Sequence, residues 1–272
     1  MNSELTIEKY ETILEIFEGL RKAAGITDTD TEIFVPEADG SKKGIVNRLC
    51  ISLQNSGQMR NSIKFKEKEK KIKEVVCNYN SSKFVQKYKN WQELYNALIY
   101  MGIEDNGVKK GIENGTTKSN WEKYSKGLYD GIIFLECKNG YKIVKDLINK
   151  SEKINAVTNE MIKSIEDISK EIHNMGFALT CDWLKECGCT WLVKPDVHIV
   201  EVYKHLTGEM NPSNSEIIQE MFEYSGQIRE QKDKTMTAYK LDKMIWLICT
   251  GNFYQRDIKI GRDLIMKRVN KV

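Results

Sequence analysis

Asp196 stands directly after Pro195 and before Val197-His198-Ile199, which places its carboxylate at the expected first turn of a helix. A carboxylate there has two uses. It caps the helix by accepting backbone N–H groups, or it sits beside a reacting carbon, stabilises developing positive charge and helps activate water. Upstream, Asn174-Met175-Gly176 reads as a turn between two helices. N–H groups facing outward from such a turn make an anion site, Gly176 permits a close approach, and Asn174 tolerates left-handed backbone geometry. Asp182 and Trp183 follow on the second helix, where they face either a ligand pocket or the core. His198 shares the turn with Asp196 and is expected to orient or pack rather than transfer protons.

The elements that must position these residues are helices. Only three prolines occur, Lys, Glu, Ile and Leu are abundant, and apolar residues recur at helical spacing. Residues 6–22 carry Tyr10, Ile13, Leu14, Phe17 and Leu20 on one stripe. Asn90 with Glu93, and Ser119 with Glu122, have capping-box spacing ahead of apolar faces, and Gly102 and Asn139-Gly140 end the helices that follow. Further helices are expected at about 141–150, 155–173, 178–187, 196–206, 213–224, 236–249 and 257–270. Residues 25–62, with Gly, Asp, Thr and Ser around short apolar runs such as Ile45 to Leu53, allow a small irregular or partly β segment. The fold class is therefore mainly α. Two lobes are expected, 1–105 and 106–272, divided near the polar loop 104–117.

Charge is distributed unevenly. Residues 1–40 hold three Lys/Arg against ten Asp/Glu, whereas residues 41–90 hold thirteen against three. Such a basic lobe suits phosphate contacts, which supply most nucleic-acid affinity. The run Lys64 to Glu74 mixes both signs and reads equally as a solvated face. No stretch approaches a membrane span and the first residues lack a basic-then-apolar signal, so a cytoplasmic protein without a membrane partner is expected. The seven cysteines read as free thiols in a reducing compartment. Cys181, Cys187 and Cys189 lack a CxxC pair and a fourth ligand, so no metal and no cofactor are expected.

The order of parts over residues 165–206, with its hairpin at Asn174-Met175-Gly176 and its Pro195-Asp196-Val197-His198-Ile199 segment, resembles the helix-hairpin-helix DNA glycosylases of the endonuclease III and 8-oxoguanine glycosylase type. The resemblance implies that the hairpin binds the DNA backbone, that Asp196 is the catalytic carboxylate, and that the substrate is double-stranded DNA with a flipped-out base. A cleft between two helical lobes would receive that base, with Asp182 and Trp183 as candidates for its pocket. In bifunctional relatives a lysine beside the hairpin attacks the sugar, but here Phe177, Ala178 and Leu179 occupy those positions. The resemblance thus implies a monofunctional enzyme using water, for repair or for removing modified bases from foreign DNA, unless Lys185, Lys194 or another lysine enters from elsewhere. The alternatives are a glycosylase/lyase with such a displaced lysine and a non-catalytic DNA-binding module in which Asp196 is only a cap.

Overall fold

Polar caps set most of the helix starts. Ser41, Asn80, Asn90 and Thr237 each accept a first-turn N–H, and Ser119 and Ser213 form reciprocal capping boxes with Glu122 and Glu216. Each such cap contributes about 0.5–2 kcal/mol. The computed structural model describes residues 5–26, 34–57, 59–103, 119–152, 154–253 and 258–259. Its architecture is mainly α-helical. The helices are α1 (Ile7–Ala23), α2 (Lys42–Leu53), α3 (Met59–Ile63), α4 (Phe65–Val75), α5 (Ser81–Lys87), α6 (Trp91–Tyr100), α7 (Asn120–Cys137), α8 (Gly140–Asn149), α9 (Asn159–Glu171), α10 (Phe177–Glu186), α11 (Val197–Thr207), α12 (Asn214–Gln231) and α13 (Ala238–Thr250). None of them is long and apolar enough to cross a membrane.

The chain forms two compact units that interleave along the sequence. The first comprises Met1–Pro36, Lys153–Asn159 and Thr190–Val272, and the second Glu37–Glu152 and Glu160–Cys189. In the first, α13 packs against α1, α11 and α12. Tyr10, Ile13, Phe17, Leu206, Met221, Leu241 and Ile245 are buried there. Its ends are tied by the Tyr224 hydroxyl donating to the Thr6 carbonyl (2.8 Å) and Lys9 donating to the Leu206 carbonyl (2.5 Å). In the second, α7 is central and packs against α2, α3, α5, α6 and α8. Trp121, Tyr124, Leu128 and Ile132 fill that core, each burying enough apolar surface to contribute about 1.5–3 kcal/mol or more.

Several sequence expectations change here. The chain does not divide at 104–117, because α6 and α7 on either side of that loop pack together within the second unit. Both helices carry an apolar face that must be covered (Leu94 and Leu98; Trp121, Leu128 and Ile132), and pairing them is the nearest solution. Ile45 to Leu53 is neither irregular nor β but the body of α2: Ile45, Val46, Leu49, Cys50 and Leu53 follow the helical period and all are buried. Lys64 to Glu74 falls almost wholly in α4, which buries Phe65, Ile72 and Val75 and leaves most of its charges in solvent. Of the helix expected over 257–270, Ile258–Lys259 instead pairs antiparallel with Asn252–Phe253, and the rest lies outside the described residues.

Candidate active site

Asp196 is held by a chain of contacts that begins in the core of the first unit. Trp191, Leu192 and Val193 are buried, which anchors the connection that precedes α11. Two hydrogen bonds fasten this connection to the start of α13: Tyr239 N–H donates to the Thr190 carbonyl (3.0 Å), and Lys194 N–H donates to Oδ1 of the buried Asp242 (2.7 Å). Asp196 N–H then donates back to the Lys194 carbonyl (2.7 Å), closing a three-residue turn around Pro195. The fixed φ of proline stiffens that turn.

The carboxylate itself does two things. Its Oδ1 accepts the N–H groups of His198 (3.0 Å) and Ile199 (3.3 Å), making Asp196 the N-cap of α11. Its Oδ2 lies 3.4 Å from Lys194 Nζ, and both side chains remain 18% exposed, so solvent or a ligand reaches them. His198 supplies its backbone N–H to this arrangement and is half-buried. Cys249 stands within electrostatic range of Asp196 and Glu201. Burial first, and these carboxylates second, push its thiol up to about 12, so it is a protonated and weakly nucleophilic neighbour.

The turn 172–176 belongs to the second unit and is seated on α7. Asn174 adopts the left-handed conformation (φ 60°) and its side-chain amide donates to the Lys123 carbonyl (3.0 Å). Met175 is buried, and its N–H is already used by the Ile172 carbonyl (3.2 Å). Gly176 precedes α10 with ordinary extended geometry (φ −68°, ψ 170°), and a Cβ added there would meet nothing within 4 Å. The glycine that the turn requires is Gly127 on α7, where a Cβ would stand 2.4 Å from the His173 carbonyl oxygen. The start of α10 has no side-chain cap and no acidic residue in its first turn, and the N–H groups of Gly176, Phe177 and Ala178 donate to nothing among the described residues. That is the electrostatic character of an anion-facing helix end.

Asp182 and Trp183 are both buried in the second unit. Trp183 is fully buried and its indole N–H donates to the Ile45 carbonyl (3.1 Å), so it is a core residue of the second unit. Asp182 accepts from Arg48 Nη2 and Ser52 Oγ (2.9 Å each). Arg48 also pairs with Glu37. Burial opposes the guanidinium charge, but Asp182, Glu37 and Glu186 outweigh it and hold Arg48 protonated. Lys185, one candidate for a displaced nucleophile, is buried 3.7 Å from Glu186. Lys194, a second candidate, lies beside Asp196. Among the described residues, no cluster of three or more His, Cys, Asp or Glu side chains could hold a metal.

Sequence reasoning overlooked Gly127 and the link from Asp242 to Lys194. An acidic residue amid Leu241, Met244 and Ile245 was the only signal for the latter. Comparison with family models, curated proteins and solved structures finds no match for this chain.

Proposed function

We propose that the protein is a DNA glycosylase that hydrolyses the N-glycosidic bond of a damaged or modified base, with Asp196 as its catalytic carboxylate and water as nucleophile. The observation that carries this reading is the state of Asp196: one oxygen is fixed by two backbone N–H groups, the other lies beside Lys194, and the side chain keeps some exposure to solvent. A carboxylate oriented in this way by its backbone needs no rearrangement when positive charge appears near it. As the bond from C1′ to the base nitrogen breaks, the base leaves with the electron pair and takes a proton. The sugar becomes oxocarbenium-like, Asp196 stabilises it, and water adds at C1′ to leave an abasic site. The target nucleotide must leave the helical stack for this to occur. The uncapped N–H groups at the start of α10, together with the turn 174–176, are assigned to a DNA phosphate.

A specific observation also favours a second reading. The cap geometry of Asp196 is complete without any substrate, which is what a non-catalytic DNA-binding module would need. The two are separated by excision assays on duplexes that each carry one oxidised, deaminated, alkylated or hypermodified base, developed with alkali, comparing wild type with Asp196→Asn. Excision that disappears in the variant while duplex binding persists supports the glycosylase. Salt-sensitive binding with no excision on any duplex supports the module. Covalent trapping by borohydride would replace water with a lysine, and Lys194→Ala would identify it.

A further inference from the structure

We infer that Asp242 is the positioning residue for Asp196, acting through the backbone of Lys194; this rests on the glycosylase reading above. Asp242 is 2% exposed, in the first half of α13, among the buried side chains Leu241, Met244 and Ile245. A carboxylate in such a place is costly unless its oxygens are used. Its Oδ1 accepts the Lys194 N–H at 2.7 Å, at the short end of the range for N–H to oxygen bonds. The same peptide segment is fixed from its other side, because the Lys194 carbonyl accepts the Asp196 N–H at 2.7 Å around Pro195. Two short hydrogen bonds and one proline ring therefore connect a buried group on α13 to the backbone of Asp196, with no freely rotating bond between them other than those of the turn. The Lys194 ammonium, 3.4 Å from Asp196 Oδ2, is placed by the same peptide.

This linkage makes α13 the reference frame for the carboxylate. The Asp196 cap bonds fix its side chain relative to α11, but they do not fix where α11 begins. Asp242 does so. A displacement of about 1 Å at a catalytic group can cost on the order of 100-fold in rate. Loss of the Asp242 acceptor should thus slow the chemical step and leave duplex affinity, which is assigned to the turn 174–176 and the start of α10, unchanged.

The test is single-turnover excision and duplex affinity for wild type, Asp196→Asn, Asp242→Ala and Asp242→Asn, on whichever duplex the wild type cleaves, with circular dichroism melts of each variant. Asp242→Ala should lower the single-turnover rate about 10- to 100-fold with duplex Kd unchanged. Asp242→Asn, which keeps an acceptor oxygen at the same position, should stay within a few-fold of wild type. A full rate in Asp242→Ala overturns the inference, as does a rate that falls only in proportion to the folded fraction. An Asp242→Asn variant as slow as Asp242→Ala also overturns it, since the acceptor would then not be what matters. A wild type that cleaves no duplex defeats the glycosylase reading, and the inference falls with it. An active wild type with an unimpaired Asp242→Ala defeats the inference alone.

Discussion

Replacing Asp196 by Asn and by Ala separates its cap from the catalytic role proposed for it, because the variants remove different things. Asn keeps an oxygen that can accept the His198 and Ile199 N–H groups, and Asn and Asp are comparable as N-caps. Its expected cost in stability is a few tenths of a kcal/mol, with some of that from the lost ion pair to Lys194, a partly exposed contact of about 0–1 kcal/mol. Ala loses both cap bonds and the ion pair, for a total of about 1–2 kcal/mol. At about 2–4 °C per kcal/mol for a domain of this size, the Ala variant should melt on the order of 2–8 °C lower and the Asn variant within about 1–2 °C of wild type. Excision should follow the charge and not the cap. Both variants should lose on the order of 100- to 1000-fold in single-turnover rate, the scale on which removal of one preorganised electrostatic group is felt. Thermal melts followed by circular dichroism, paired with single-turnover excision on the same preparations, check both halves. An Asn variant that keeps its rate, or one that destabilises as much as Ala while losing its rate, would refute the separation and leave Asp196 as a cap.

Gly127→Ala should destabilise the second unit by about 1–3 kcal/mol, because the new methyl meets the His173 carbonyl, whereas Gly176→Ala should cost less than about 0.5 kcal/mol. Duplex affinity lost in Gly176→Ala without lost stability in urea titrations would locate the need for glycine in the bound partner, and unchanged affinity would argue against phosphate contact at that turn. Arg48→Met removes the guanidinium from between Asp182 and Glu37, at an expected cost of about 3–5 kcal/mol in denaturant melts; adding Asp182→Leu should recover much of it, and an undiminished double-variant loss would contradict that account. Glu136 is held below its ordinary value of 4.5 by the Ser82 hydroxyl above all, against a smaller opposing effect of burial, with Ser81 and Lys42 assisting. Since the folded value is the lower one, its contribution is fully present above pH 4.5 and is lost as the pH falls through the folded value. Glu136→Gln should flatten the dependence of the urea midpoint on pH below about 4.5, and an unchanged slope would exclude this linkage.

Local chemistry was legible in this sequence wherever a helix announces itself within four residues. Ser119 with Glu122 forms the reciprocal bonds its spacing predicts, and Asn90 accepts the Glu93 N–H although the Glu93 carboxylate takes the Lys89 N–H instead. In α1, Tyr10, Ile13, Phe17 and Leu20 are buried as their period requires, with Ile16 in place of the half-buried Leu14. What was not legible depends on partners distant in the chain. Residues 174–176 drew attention to Gly176, whose backbone is ordinary, while the glycine that the turn needs is Gly127, whose reason for being glycine lies in a carbonyl 46 residues away. Asp182 read as a pocket candidate from its place on the helix that follows the hairpin, yet its guanidinium comes from Arg48, 134 residues earlier. The division into units was hidden for the same reason: an acidic first helix and the C-terminal helices share one core, and a composition shift at 104–117 carries no information about that pairing. Asp196 is the instructive middle case. Its cap followed from the sequence alone, and its contact with Lys194 follows from the turn around Pro195, but the group that fixes this turn is Asp242, on a helix the sequence does not connect to it. The short motifs of this chain are held in place by long-range bonds, and variants that cut those bonds test the proposed function more directly than changes within the motifs themselves.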